Sequence, residues 1–328
     1  MKILLIAGGW SEEREVSLNG ARGLAEAMRR LGHQVTPFDP AEGFDGLFAA
    51  AQGQDFAFIN LHGSPGEDGL PQSLLESAGL PYQGSGPRGS FLALNKAAAK
   101  IMFRRAGLPT PDWLLLTRHP GPGWRPPFGY PLFVKSNTGG SSLGLIKVHN
   151  AAELGPALDR LFAGGGEFIV EPACPGRELT CGVLGALRPT EGGTGSGPVP
   201  GEVEVPEALP PILIRPLRGE EGFFDYVSKY APDGAEELCP APLPPDLLAL
   251  AESHALAAHR VLGLRGYSRT DFILSDNGSL TLLETNTLPG MTGASLLPKA
   301  AAAAGLSFEQ LVARLVDLGL ARARAELL

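Results

Sequence analysis

The sequence is short of several things, and each shortage closes off a class of function. It holds three cysteines, Cys174, Cys181 and Cys239, an odd number with no C-x-x-C pair. A disulfide framework finds no support, and free thiols in a reducing cytoplasm are expected. No run of apolar residues is long enough to span a bilayer, so no membrane partner is expected. The apolar KILLIAGG near the start is followed at once by Glu12, Glu13 and Arg14, without the cleavage pattern of a secretory signal. There is no basic block, and the net charge is −8, which speaks against a nucleic-acid partner. Any phosphate site would have to be locally basic. Finally, no G-x-G-x-x-G follows the first apolar run, so a dinucleotide role has little support.

What is present is an ordinary apolar fraction, 44% of 328 residues, enough for two or three domains. The first ninety or so residues alternate between two periodicities. A strand is expected over 3–7, ending at Gly8-Gly9, and strands again over 34–38, 56–61 and 80–83. From Ser17, apolar residues at 18, 21, 24, 25, 28 and 31 recur at helical spacing until Gly32 closes the element. Leu74, Leu75 and Ala78 mark a short helix. Such a βαβ series predicts a doubly wound parallel sheet.

Further on, the pattern predicts one helix over 88–105, then a proline-glycine connector, HPGPGWRPPFGYP. Strands flank the loop after Lys135, the second over 143–146, a helix covers 151–161 and a strand 167–171. The stretch 188–211 reads as an exposed, flexible insertion. Asp246 is expected to cap a helix reaching Leu262, with His254 and His259 as surface or internally satisfied residues. No internal repeat is visible.

Two stretches carry chemistry. In FVKSNTGGSSLG a strand ending in Lys135 runs into a glycine-serine loop, whose bare backbone N–H groups suit phosphate. The lysine precedes the glycines, however, which is not the P-loop order. In RTDFILSDNGSLTLLETN, Asn277-Gly278 between apolar runs signals a hairpin. If those two residues form the loop, Asp271 faces Glu284, Arg269 faces Asn286, and all four share one face of the ribbon. A three-residue loop would break that register. Opposed carboxylates repel each other, so the pair calls for a cation. A donor set of oxygens without His or Cys suits Mg2+, and Mg2+ with few protein ligands takes substrate phosphates.

These motifs, together with GGWSEEREVS, NLHGSPGEDG, EPACPGRELT, FFDYVSKY and LLETNTLPGMTGASLLP, resemble the ATP-grasp ligases, and within them the D-alanine–D-alanine ligases. The resemblance runs through essentially the whole chain. It implies an N-terminal Rossmann-like domain (1–95), a central ATP-grasp subdomain with a phosphate flap (96–183) and a C-terminal subdomain (184–328) carrying the hairpin and a mobile loop. It implies ATP and D-alanine as substrates, an acyl-phosphate intermediate, a part in peptidoglycan precursor synthesis, a cytoplasmic location and a homodimer. Lys96 and Lys135 would bind the ATP phosphates, with the flap residues Ser141 and Ser142 above them. Residues Glu171, Pro172 and Cys174 would line the adenine, and Glu178 would take the ribose hydroxyls. Lys229 would reach the γ-phosphate from the mobile loop. Asp271, Glu284 and Asn286 would hold two Mg2+ ions, with Mn2+ as a substitute.

Arg269 and the Gly290 N–H would stabilise the tetrahedral oxyanion. Glu13 would anchor the first D-alanine's ammonium, and His62 would line the same pocket. Ser295 and Leu296, opening a helix, would receive the second substrate's carboxylate. Tyr230 and Ser141 would join Glu13 in tying flap and loop together on closure. Ser136 stands where such ligases usually carry proline. Other readings are a D-alanine–D-lactate ligase, a different ATP-grasp carboxylate–amine ligase, and a nucleotide-binding protein without catalysis.

Overall fold

The computed structural model describes residues 1–139, 144–189, 202–217 and 234–326. The first sheet is parallel, as its continuous apolar runs predict, in the order β2 (Gln34–Phe38), β1 (Lys2–Ala7), β3 (Phe56–Asn60). Helix α1 (Arg14–Arg30) buries Leu24, Ala27 and Met28 against it. The expected fourth strand is reduced to one parallel bridge, Ala57 with Tyr82. Pro81 has no N–H to continue a ladder, but its carbonyl accepts from the Ala57 N–H at 2.7 Å. The side chain of Gln83 then replaces the strand: its Oε1 takes the Ile59 N–H at 2.9 Å and its Nε2 donates to the Ile59 carbonyl at 2.6 Å.

After α2 (Leu47–Ala51) and α3 (Leu70–Ser77) comes a second correction to the sequence expectation. Residues 88–105 are two helices, α4 (Pro87–Leu94) and α5 (Lys96–Arg105). Asn95 between them leaves the helical region at φ −75°, ψ 95°, and its side chain accepts the Ala98 N–H at 3.0 Å. An asparagine that caps competes with helix continuation, and here the cap wins.

The central sheet is antiparallel, in the order β4 (Leu114–Leu116), β7 (Phe168–Pro172), β5 (Leu132–Ser136), β6 (Leu145–Val148), with α6 (Ala151–Phe162) across it. Its core is Leu132, Val134, Val148, Leu154, Leu158, Phe168 and Val170. The largest sheet runs β11 (Ala235–Leu238), β10 (Ile212–Pro216), β8 (Arg177–Pro189), β12 (Tyr267–Leu274), β13 (Leu280–Asn286), with β9 (Glu202–Ala208) also paired to β8. Much of the supposed insertion is therefore sheet: β8 and β9 pair from Val183–Ala208 out to Pro189–Glu202. Glycines and prolines at 190–201 hid the strands on either side.

Both faces of this sheet are covered. Leu179, Cys181, Val183 and Phe272 pack with Ala99 and Phe103 of α5 and with α7 (Pro245–Val261). On the other face, Leu184, Ile212 and Ile214 join α8 (Leu296–Ala303), α9 (Phe308–Glu326) and the N-terminal sheet in one core. Burying a side chain such as Phe103 contributes ~1.5–3 kcal/mol. Helix α5 is thus anchored in the C-terminal core, although it reaches toward the central sheet. The expected domain boundary between 183 and 184 falls inside β8.

Asp246 does not cap α7. Pro244 holds that position, and Asp246 lies in the first turn, where a carboxylate still favours the helix dipole. Of the two helix histidines expected to be surface or internally satisfied, His259 is buried with its Nδ1 2.8 Å from Ser268 Oγ, whereas the buried Nδ1 of His254 has no hydrogen-bond partner among the described residues.

Candidate active site

The hairpin comes first, because two departures from its expected form cancel. The loop is not Asn277-Gly278 alone. Ser275 pairs with Ser279 at 2.9 Å, leaving three residues, 276–278, as the turn. Gly278 takes φ +83°, the left-handed position such a loop needs. Near the turn the partners are Leu274–Leu280, Ile273–Thr281 and Phe272–Leu282, one residue out from expectation. A bulge then restores the register: Asp271 pairs with Glu284, Thr270 with Thr285 and Arg269 with Asn286. The extra residue on β13 is Leu283. Its mark is visible in burial, since Leu280 and Leu282 are buried before it, Thr285 and Thr287 after it. A one-residue insertion flips the side-chain parity of a strand, and here it turns Glu284 and Asn286 to the face of Arg269 and Asp271.

On that face the charges are already matched. Arg269 grips Asp271 with two bonds, Nε to Oδ1 at 2.9 Å and Nη2 to Oδ2 at 2.8 Å. Thr180 on β8 donates to the same Oδ1 at 2.6 Å. Lys96, the first residue of α5, lies 3.4 Å from Glu284 Oε2 and donates to the Gly139 carbonyl at 2.5 Å. The Asn286 Oδ1 accepts the Leu288 N–H at 2.9 Å, turning the chain toward Gly290. All the hairpin donors are oxygens on half-buried residues, a set that fits a hard divalent cation. No group of three His, Cys, Asp or Glu that could hold a metal by itself occurs among the described residues. A cation at the hairpin would therefore draw further oxygens from substrate or water.

Lys135, next to last in β5, reaches Glu171 of β7, Nζ to Oε1 at 2.5 Å. Glu171 is buried, and its other oxygen lies 2.9 Å from the Nζ of Lys100. Burial works to raise the Glu171 pKa, but Lys135 and Lys100 outweigh it and hold the carboxyl below its ordinary value. Burial likewise pulls Lys135 down, and Glu171, with Glu284 further off, carries it above the usual lysine value. Pro172 and Cys174 follow on the way to Glu178, which sits on β8 opposite Ile214 and Ile273. Burial pushes the Cys174 thiol up, which keeps it un-ionised.

The other end of the site gathers around His62. Its Nδ1 lies 3.2 Å from the Leu288 carbonyl, an acceptor only, so that nitrogen carries the proton. Burial holds the ring's pKa down. Glu13 closes the start of α1, and its carboxylate faces Gly63: a Cβ on that glycine would lie 3.6 Å from Glu13 Oε2. Glu67, buried nearby, is pushed up to about 8, chiefly by burial and then by the charge of Glu13. Gly290 sits against Ser295, where an added Cβ would come within 2.9 Å of the hydroxyl. Ser295 and Leu296 open α8, and the Ser295 hydroxyl bonds Thr292 rather than the helix end.

The structure thus brings Lys96, Arg269, Asp271, Glu284 and Asn286 together, with Lys135 and Glu171 on one side and His62 and Glu13 on the other. Ser141, Ser142, Lys229 and Tyr230 lie outside the described residues. Four polar residues within this region were not singled out from the sequence. Lys100 follows Lys96 by one helical turn in KAAAK, Glu67 belongs to the quoted NLHGSPGEDG, and Thr180 follows Glu178 by two residues. Asn137 is the fourth: wholly buried, it offers its backbone carbonyl to the Lys96 N–H and its Oδ1 to the Ala97 N–H, each at 2.9 Å. Helix spacing and strand parity were the signals that could have found the first and third.

Comparison with known proteins is consistent with this arrangement. Residues 102–317 match the family described as D-ala D-ala ligase C-terminus. The chain is 63% identical over 321 residues to a D-alanine–D-alanine ligase of Oleidesulfovibrio alaskensis, covering 98% of this chain and 97% of that protein. It is 51% identical over 320 residues to one of Lawsonia intracellularis, covering 98% of each. Among solved structures, the D-alanine–D-alanine ligase of Bacillus anthracis complexed with ATP superposes with a TM-score of 0.80 at 31% identity, covering 99% of both chains.

Proposed function

The chain belongs to the D-alanine–D-alanine ligase family, and from that membership we infer that it joins two D-alanines, with ATP split to ADP and phosphate. It is an ATP-dependent ligase of cell-wall precursor synthesis. The observation that carries the reading is the hairpin face: Arg269, Asp271, Glu284 and Asn286 in register, with Lys96 against them. A D-lactate-using ligase is not favoured, since the relatives compared are named for D-alanine.

The residue roles follow as proposals. The first D-alanine lies with its ammonium toward Glu13 and His62, and its carboxylate attacks the γ-phosphorus to give an acyl phosphate. The amine of the second D-alanine attacks that carbonyl carbon, and phosphate leaves with the C–O electron pair. Arg269 and the Gly290 N–H face the oxygen that gathers negative charge, which is where preorganised donors act most strongly. Ser295, Leu296 and the start of α8 receive the second carboxylate. Lys96, Lys135 and the flap serine Ser142 take the phosphates, with Lys229 joining from its loop. Glu171, Pro172 and Cys174 line the adenine, and Glu178 takes the ribose. Tyr230 with Ser141 and Glu13 ties the closed state together. Asp271, Glu284 and Asn286 would hold Mg2+, which supplies charge neutralisation at the transferring phosphoryl group.

Three units, 1–95, 96–183 and 184–328, remain the proposed division, with a homodimer in the cytoplasm. No helix among the described residues is long and apolar enough to cross a membrane.

Phosphate release measured with D-alanine, L-alanine and D-lactate, with the product identified by mass, tests the reading. D-Alanyl-D-alanine is expected only with D-alanine; ester formation with D-lactate at equal rate would overturn it. Arg269→Lys keeps the charge but loses the fork that grips Asp271. Its turnover is expected to fall on the order of 10²–10³-fold, with ATP affinity little changed. Unchanged turnover with weakened ATP binding would move Arg269 to the nucleotide.

A further inference from the structure

Lys100 is a wholly buried lysine with two hydrogen-bond acceptors and one carboxylate around its ammonium. It reaches Glu171 Oε2 at 2.9 Å, the Thr110 hydroxyl at 3.1 Å and the Pro111 carbonyl at 3.3 Å. Burial pulls the Lys100 pKa below the usual lysine value, and the Glu171 carboxylate at 2.9 Å is what favours the ammonium against it. Its position is as unusual as its burial. Its helix, α5, is rooted in the C-terminal core through Ala99 and Phe103, whereas Glu171 and Lys135 belong to the central sheet. The side chain therefore crosses the seam between two cores and delivers a positive charge to the far side of Glu171.

The charges there can be counted. Glu171 alone with Lys135 would be a closed ion pair of net charge zero, with both carboxylate oxygens free to draw the ammonium inward. With Lys100 present, one oxygen is taken, and the three groups sum to +1. In a buried setting, surplus charge of this kind acts over a longer range than it would in water.

We propose that Lys100 is a positioning residue for the nucleotide: by occupying one side of Glu171 it leaves Lys135 held but not consumed, and makes the cluster attractive to phosphate. The inference rests on the nucleotide reading above and assigns Lys100 no contact with ATP. It is a statement about charge balance, so charge balance is what the test alters. Lys100→Met removes the charge at similar volume and sets the sum to zero. Lys100→Met/Glu171→Gln removes both partners and returns it to +1.

The binding of ADP and of adenosine is measured by titration calorimetry for wild type and both variants, with thermal melting alongside. Lys100→Met is expected to weaken ADP about tenfold or more, equivalent to ~1.4 kcal/mol, and adenosine hardly at all. Glu171 is proposed to line the adenine, so its loss acts on both ligands alike, and the double variant is expected to bring the ratio of ADP to adenosine affinity back to within about threefold of wild type. Should Lys100→Met fail to fold, the ratio of ADP to adenosine affinity in the double variant carries the test: a wild-type ratio supports the proposal, a collapsed one overturns it. ADP affinity untouched in Lys100→Met, adenosine lost in parallel with ADP in that variant, or a double variant whose ratio of ADP to adenosine affinity is no nearer wild type than the single's would each overturn it. A wild-type protein that binds neither ligand would instead remove the nucleotide reading, and the proposal with it.

Discussion

Glu171 and Glu67 are both buried glutamates, yet their surroundings drive them in opposite directions. Glu171, at the end lined by Lys135, is held below its ordinary pKa by two lysines that outweigh its burial. Glu67, at the end lined by His62 and Glu13, is pushed up to about 8 by burial and by neighbouring carboxylates. Burial alone cannot set the charge of a site; the sign of the nearest neighbours does. The first end carries surplus positive charge, as a polyphosphate needs. The second gathers the carboxyl groups of Glu13 and Glu67, with Arg269 acting on Glu67 from the hairpin, and suits the ammonium proposed for it.

The same substitution should therefore act oppositely at the two ends. Glu171→Gln leaves Lys100 and Lys135 buried without their shared partner, and breaking a buried pair from one side typically costs ~3–5 kcal/mol. Urea denaturation at pH 7 would read that loss. A Glu171→Gln protein as stable as wild type would mean that the lysines shed their charge or find other partners, and the contrast would fail.

Glu67→Gln should do the reverse, and pH makes the sign testable. The folded protein keeps the Glu67 proton up to about pH 8, while an ordinary glutamate gives it up near 4.5. The folded pKa is the higher of the two, so its contribution is fully present below 4.5 and fades as pH rises toward 8. Glutamine mimics the protonated acid and has nothing to lose over that window. The variant should match wild type near pH 4.5 and exceed it at pH 8 by ~1–3 kcal/mol, once relaxation and water entry are allowed for. Parallel stability curves from pH 4.5 to 8 would show that Glu67 is not held as an acid.

Much of this was legible beforehand, and the failures share a cause. Continuous apolar runs gave β1 and β3, and the alternation on β12 and β13 placed Arg269, Asp271, Glu284 and Asn286 on one face. That placement survived a wrong turn only because the bulge at Leu283 compensated it, which no pairing rule reads from composition. The fourth strand that fails to form, the broken helix and the β8–β9 hairpin all turn on contacts that periodicity does not carry: Gln83 on Ile59, Asn95 capping α5, and β9 on β8. Lys100 and Glu67 escaped for a related reason. A lysine in an alanine-rich helix or a glutamate in a glycine-rich loop looks solvated until the second core closes over it.

The smallest effect sought is at Asn95, and it separates the two ends most cleanly. Asn95 stops α4 and starts α5 in the register that sends Lys96 to Glu284 and Lys100 to Glu171. Losing an asparagine cap to alanine typically costs ~1 kcal/mol. The lower part of the usual range is expected here, because Asn137 continues to take the N–H groups of Lys96 and Ala97. Alanine also favours helix, so α4 and α5 gain a tendency to run on as one, which would rotate both lysines away from their carboxylates. Asn95→Ala should therefore weaken ADP binding by roughly two- to fivefold, in line with a loss of at most ~1 kcal/mol. Asn95→Asp keeps a cap and should bind as wild type does. Glu67 shares neither helix nor partner with Asn95, so the pH dependence of stability between 4.5 and 8 should keep its shape in both variants. If Asn95→Ala flattens that dependence while ADP binding is unchanged, the two ends are not separately built, and the contrast between Glu171 and Glu67 reflects one coupled network.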